Sequence, residues 1–197
     1  FGTTVLCATA SYPLRIAEVA EEMGVDVRRL PLNKMLLGAE PWTEEMRKQI
    51  EEAFDAKAYD IPGLTELYGP GTGLDCLKHE GIHYWADYYI LEIINPDTLE
   101  PVPPGEIGEM VVTTLRKEAA PLIRYRTRDL TRIIPRRCSC GNILPMHDHI
   151  MGRSDDMFII RGVNVYPSHI DQIISNTEGV GSEFQIILER KEDGKDY

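Results

Sequence analysis

Residues Ala56-Lys57-Ala58-Tyr59-Asp60-Ile61-Pro62-Gly63-Leu64-Thr65-Glu66 decide the fold. Residues 56–61 read as a strand, and they empty into a glycine-containing turn that sets a hydroxyl beside a carboxylate. Upstream, the spacing predicts a helix that opens at Thr43, with Glu44 and Glu45 in its first turn and Met46, Ile50 and Phe54 four apart on one face. Before that helix, a strand over 35–37 runs into Gly38-Ala39-Glu40-Pro41. Earlier still, a strand over 4–8 leads to a helix over 13–23, where Ile16, Val19, Ala20 and Met23 share a face and Gly24 provides the stop. The order βαβαβ predicts an α/β portion with a parallel sheet and a ligand site beyond the carboxyl ends of its strands.

Downstream of Pro70 the texture changes. Three β-type runs, 84–94, 109–115 and 122–134, are separated by a turn-rich stretch over 95–108. They predict an antiparallel sheet or small barrel attached to the α/β part. The polar segment Gly152-Arg153-Ser154-Asp155-Asp156 reads as a linker. Beyond it come a hairpin over 157–166 and a helix that opens at Pro167 and Ser168. Asp171 stands at the capping-box spacing from Ser168, and Ile170, Ile173 and Ile174 form the apolar face. The expected parsing is therefore 1–151 as part of a large domain (1–72 α/β, 73–151 β-rich), 152–156 as a hinge, and 157–197 as the start of a small α+β C-terminal domain. Both ends fall in or just after strand-like runs, so the chain is expected to be a piece of a longer protein that lacks both termini.

With 21 Lys and Arg against 32 Asp and Glu, the net charge is -11. That balance argues against nucleic acid and anionic membranes as partners, since both would repel the chain at long range. No apolar run approaches the ~20 residues needed to cross a bilayer, and no secretory signal opens the chain. Four cysteines in that setting predict a reduced, cytoplasmic protein.

Several segments, in order, resemble the phenylacetate-CoA ligase family of adenylate-forming enzymes. They are Gly38-Ala39-Glu40-Pro41-Trp42, Tyr59-Asp60-Ile61-Pro62-Gly63-Leu64-Thr65-Glu66, Gly69-Pro70-Gly71, Ile123-Arg124-Tyr125-Arg126-Thr127-Arg128-Asp129, and Gly152 to Met157 continuing into Arg161-Gly162-Val163-Asn164-Val165-Tyr166-Pro167. The resemblance implies a ligase that activates an aromatic, phenylacetate-like carboxylate with ATP and Mg²⁺, then transfers the acyl group to coenzyme A. It implies that Glu66 holds Mg²⁺, that Thr65 contacts phosphate, and that Asp129 accepts the ribose hydroxyls. Gly38, Ala39, Glu40, Pro41, Tyr59, Asp60 and Ile61 would frame the adenine. Related enzymes carry an aromatic residue where this chain has Pro62, which leaves the adenine without that stacking partner. Asp155 would be the hinge pivot, Arg153 would lie near the nucleotide, and the loop around Gly162 would approach the pantetheine arm. A homodimer follows by analogy. The family's phosphate loop and C-terminal lysine are expected outside 1–197, so the fragment alone is expected to be inactive. Plainer readings stand beside these: Thr65-Glu66 as a solvated turn, Asp129 as a surface ion pair with Arg126 or Arg128, and 152–156 as an ordinary interdomain turn.

The cysteines form a separate signal. Cys138-Ser139-Cys140-Gly141 is a tight thiol pair, and Cys76 precedes His83 by seven residues. Cys76, His83, Cys138 and Cys140 suit a tetrahedral, structural Zn²⁺ site, with His79 as a substitute for His83; the alternative is unmetallated thiols. Cys7, within a strand, reads as a buried small hydrophobe. His147 and His149 flank Asp148 and read as a solvated loop. Two other classes compete with the CoA ligase: a non-catalytic, zinc-stapled nucleotide-binding module, and an adenylating enzyme with a different acyl acceptor.

Overall fold

The computed structural model describes residues 2–156, 158–160, 163–165, 167, 170, 173–174, 177 and 185–188. Strands β1 (Val5–Thr9), β2 (Lys34–Gly38) and β3 (Lys57–Asp60) form a parallel sheet in that order. Helices α1 (Tyr12–Glu22) and α2 (Glu44–Phe54) connect them. Local chemistry sets their ends. In α1, Gly24 takes φ +69, and the amides of Gly24 and Val25 donate to the carbonyls of Glu21 and Ala20 at 2.9 and 2.7 Å, the bond pair that a left-handed residue makes possible at a helix stop. In α2, the Thr43 hydroxyl accepts from the Met46 amide at 3.2 Å, and Glu44 and Glu45 lie in the first turn.

Ile50 and Phe54 of α2 are buried against Met35, Leu37 and Ala58 of the sheet. Each such side chain contributes about 1.5–3 kcal/mol by leaving water. Arg47, on the same helix, is buried as well. Its guanidinium pairs with the fully buried Asp75 at 3.0 Å, donates to the Ala58 carbonyl, and lies 4.7 Å from the centre of the Trp42 ring.

The β-rich part is two four-stranded sheets rather than one sheet or a closed barrel. Strands β4 (Gly73–Leu74), β5 (Ile82–Tyr84), β9 (Ile133–Ile134) and β10 (Met146–His147) pair antiparallel in the order β4-β5-β10-β9. The second sheet takes β6 (Tyr89–Ile94), β7 (Gly108–Thr114), β8 (Tyr125–Thr131) and β11 (Gly152–Arg153) in the order β11-β8-β7-β6. Two runs that read as single strands are thus divided. The run over 84–94 breaks at a turn in which the Tyr88 amide donates to the Trp85 carbonyl (2.8 Å) while the Trp85 indole donates to Gly71 (2.6 Å). The run over 122–134 breaks at Arg132, where the chain passes from one sheet to the other. Leu67, Tyr84, Tyr89, Ile93, Met110 and Val112 share a second core.

Strands β12 (Phe158–Ile160) and β13 (Val163–Val165) pair antiparallel as the expected hairpin, and Pro167, Ile170, Ile173 and Ile174 are helical. Gly162, assigned to the pantetheine-facing loop, lies outside the described residues, as do Ser168 and Asp171 of the expected cap. Cys7 is exposed, not buried: β1 is an edge of the described sheet, and Cys7 opens onto a cavity of about 300 Å³ shared with Leu36, Gly63 and Thr65.

Candidate functional site

A cavity of about 230 Å³ lies just past the carboxyl ends of β2 and β3, where a parallel sheet places its ligands. One wall is Gly38, Ala39, Glu40, Pro41 and Trp42, continued by Asp60, Pro62 and Gly63. Across from it stand Met110 of β7, Asp129 of β8, His147 of β10 and Arg153 of β11. The wall is built by close backbone approach. A Cβ at Gly38 would come within 2.6 Å of the Ile61 carbonyl oxygen, and Ala39 holds φ +70, a left-handed conformation that costs a residue with a side chain. Such strain gathers at ligand sites.

The structure thus brings Gly38 to Pro41, Asp60, Asp129 and Arg153 to one cavity. It places the others around it. Tyr59 turns its ring away, packing 5.9 Å from His79, while Ile61 lines the cavity next to Cys7 together with Thr65. Glu66 is exposed, and its carboxylate forms no ion pair among the described residues, an arrangement open to a hydrated Mg²⁺. Asp155 sits outside the cavity, clamped by both arms of Arg153 at 2.9 Å, which lowers its carboxyl pKa.

Asp129 has neither of the ion-pair partners the plain reading gave it. Side chains alternate along β8, so Arg126 and Arg128 point to Glu109 on the far face, and Asp129 shares the cavity face with Met110. Its one arginine contact is Arg153 at 3.4 Å. Burial, reinforced by the negative charges of Asp155 and Glu66, outweighs Thr127 and Arg153 and raises the Asp129 pKa. A largely buried carboxylate whose one arginine contact is long is a group short of donors.

The stretch His147-Asp148-His149 is not a solvated loop. His147 in β10 is buried, and burial holds its pKa down to about 4. The Asp148 amide donates to the Arg132 carbonyl at 2.9 Å. His149 Nδ1 lies 2.8 Å from Asp60 Oδ2. Burial opposes protonation of His149, but the hydrogen bond to Asp60 and the charges of Asp60 and Asp75 together raise its pKa.

A second centre lies between the two arms of the small sheet. The ligand atoms of Cys76, His83, Cys138 and Cys140 all fall within 4.8 Å of one another. His83 Nδ1 faces the Leu144 carbonyl at 3.3 Å, which leaves Nε2, 3.4 Å from Cys140 Sγ, free as a ligand. His79 is not in this cluster; its Nδ1 lies 2.6 Å from Asp75. Glu80 braces the Cys138–Cys140 turn: Ser139 donates to it through its hydroxyl (2.6 Å) and amide (3.2 Å), and with Arg136 holds the carboxyl down to about 2. Without a cation, burial pushes the Cys138 thiol up to about 12. The donor set fits Zn²⁺, whose charge would let the three thiols ionise together.

Known proteins match this chain along almost its whole length. The phenylacetate-coenzyme A ligase of Thermus thermophilus is 43% identical over 97% of the chain, and that of Pseudomonas putida is 43% identical over 96%. The chain belongs to the phenylacetate-coenzyme A ligase family. It spans 43% of the length of each of those two relatives. Residues 162–197 also match the AMP-binding enzyme C-terminal domain. Among solved structures, a 2-hydroxyisobutyryl-CoA ligase in its postadenylation state, in complex with an AMP adduct, superposes with a TM-score of 0.85 at 33% identity, covering 92% of this chain and 39% of that one. The same ligase with CoA in the thioesterification state gives 0.73 at 32% identity, covering 99% and 42%.

Within this member of the phenylacetate-coenzyme A ligase family, sequence reasoning missed the roles of Glu109, His149 and the Arg47–Asp75 pair. Glu109 had a signal: a lone acid opening the apolar run Met110-Val111-Val112. His149 and Asp60 stand 89 residues apart, so only the fold joins them.

Proposed function

We propose that the full-length protein carrying this chain is an AMP-forming acid–thiol ligase acting on an aromatic carboxylate of the phenylacetate type. In the first step a carboxylate oxygen attacks the α-phosphorus of ATP, forming the acyl-adenylate and releasing pyrophosphate. In the second, the thiol of coenzyme A attacks the acyl carbon, and AMP leaves. One observation carries the reading: Asp129, largely buried and short of donors, faces the Gly38–Pro41 wall across a cleft at the carboxyl ends of the parallel strands, in a chain of this family.

In this reading Asp129 accepts both ribose hydroxyls, which supply the donors it lacks. The backbone of Gly38 to Pro41 lies along the base, with Asp60 at its edge. Thr65 contacts phosphate. Glu66 holds Mg²⁺, which when bound neutralises charge on the phosphates. Arg153 links Asp129 to Asp155, the pivot between 1–151 and 157–197. These 197 residues, two-fifths of the relatives' length, bind nucleotide without completing ligation.

The test is pyrophosphate release by the full-length protein given ATP, Mg²⁺, phenylacetate and coenzyme A. Acid-dependent release followed by thioester is expected; ATP–pyrophosphate exchange that no aromatic acid elicits would overturn the reading. The thiolate centre is read as structural Zn²⁺ held by Cys76, His83, Cys138 and Cys140. About one zinc per chain is expected, with loss in Cys138→Ser, because three ligands rarely suffice for a closed structural site.

A further inference from the structure

Resting on the nucleotide reading above, we infer that His149 is a positioning residue that fixes Asp60 as a hydrogen-bond acceptor and so selects adenine over 6-oxopurines. Asp60 ends β3, is 8% exposed, and forms part of the cavity wall beside Gly38 to Pro41. Its Oδ2 is engaged by His149 Nδ1 at 2.8 Å, and its backbone carbonyl accepts from the Asp75 amide at 2.9 Å. Its Oδ1 makes no hydrogen bond among the described residues. A carboxylate whose one oxygen is tied to an N–H donor can offer the cavity only an acceptor.

His149 reaches Asp60 from the segment after β10, between two cavities. The second, about 520 Å³, is lined by His149 with His79, Arg132 and Asp148. The imidazole therefore stands behind Asp60, not among the groups that line the nucleotide cavity. Its charged surroundings are Asp60 and Asp75, which favour protonation, and Arg47 of α2, which opposes it. The exocyclic amine of adenine is a donor and satisfies Asp60 Oδ1. The C6 carbonyl of hypoxanthine or guanine would set acceptor against acceptor in a desolvated place.

This arrangement makes an unusual demand of one substitution. In Asp60→Asn, an Nδ1–H of His149 behind the amide would take the amide oxygen and turn the NH₂ group into the cavity, which then donates to a C6 carbonyl. The polarity would invert only because His149 orients the amide. ATP and ITP, which differ at C6 as amine against carbonyl, are the probes. Their dissociation constants are measured on the full-length protein.

The wild type is expected to prefer ATP by about ten- to a hundred-fold, and Asp60→Asn to lose that preference and favour ITP. In Asp60→Asn with His149→Leu the amide is free to turn either way, and the two nucleotides should bind within a few-fold of each other. In His149→Gln, which keeps a donor behind the carboxylate, the ATP preference should persist. Because each readout is a ratio within one variant, lost stability cancels. An Asp60→Asn variant that keeps the wild-type ATP preference overturns the assignment, and so does a double variant that still favours ITP. A wild type that binds neither nucleotide overturns the nucleotide reading and this inference with it; a wild type that binds ATP but fails the ratios overturns the inference alone.

Discussion

Glu109 and Asp129 sit on neighbouring strands, β7 and β8, on opposite faces of one sheet, and both are carboxylates taken out of water. Glu109 is fully buried and fully served. Arg126 donates to both its oxygens at 2.7 Å, the Ser154 hydroxyl donates at 2.9 Å, and Arg128 lies at 3.6 Å. Burial would raise its pKa, but these partners outweigh burial and lower it. Asp129 has one arginine at 3.4 Å, and there burial wins. The difference separates a group that holds the fold from one that the fold holds ready. Arg153, at the end of β11, turns to Asp129, and Ser154, just past the strand, turns to Glu109.

Removing Glu109 should break this contrast most severely. Glu109→Gln removes the charge that the partly exposed Arg126 pairs with, so the loss of stability should exceed the ~1 kcal/mol of a surface pair; urea unfolding of the chain measures it. A loss below about 1 kcal/mol would mean that Glu109 is no more than a surface pair. Acid should produce a comparable effect on the cavity side. His147 stays neutral in the folded chain down to about 4, whereas in the unfolded chain it takes up a proton near 6.5. Between those values the unfolded state binds more protons, so stability falls as pH drops, by about 3 kcal/mol in all. A His147→Phe variant should flatten that limb of the pH–stability curve.

Asp129 should give the smallest change in stability and the sharpest in binding. Its raised pKa means that the charged form costs the fold stability as pH rises past the usual aspartate value. Asp129→Asn should therefore leave neutral-pH stability within about 0.5 kcal/mol, or raise it, while weakening nucleotide binding. The acid limbs of the two carboxylates then run in opposite directions. Stability from Glu109 is lost as pH falls below the ordinary glutamate value, while protonating Asp129 relieves its cost.

The parallel sheet was readable because hydrophobic period and stop residues agreed: Thr43 and Gly24 mark helix ends in the sequence and cap them in the structure. The four metal-ligand candidates were readable because thiols are few and closely spaced. Choosing His83 over His79 was not, since that depends on β5 pairing with β10, which carries His83 inward. The same pairing buries His147, which a polar stretch conceals. Strand division was hidden for a related reason. A run over 122–134 keeps its β character through Arg132 while changing sheets, and nothing local marks a change of partner.

The small sheet has one further consequence, and it concerns time. Strands β6, β7 and β8 each meet a neighbour in sequence, whereas β5 must wait for β10, and the sulfurs of Cys76 and Cys138 meet across 62 residues. Loop closure of that length carries an entropic delay that local hairpins avoid. The meander should therefore assemble first, inside the loop that the small sheet later closes. On a ribosome, Cys76 would emerge with His83 close behind it but 62 residues before Cys138, so of the three thiols of this centre it waits longest for the others.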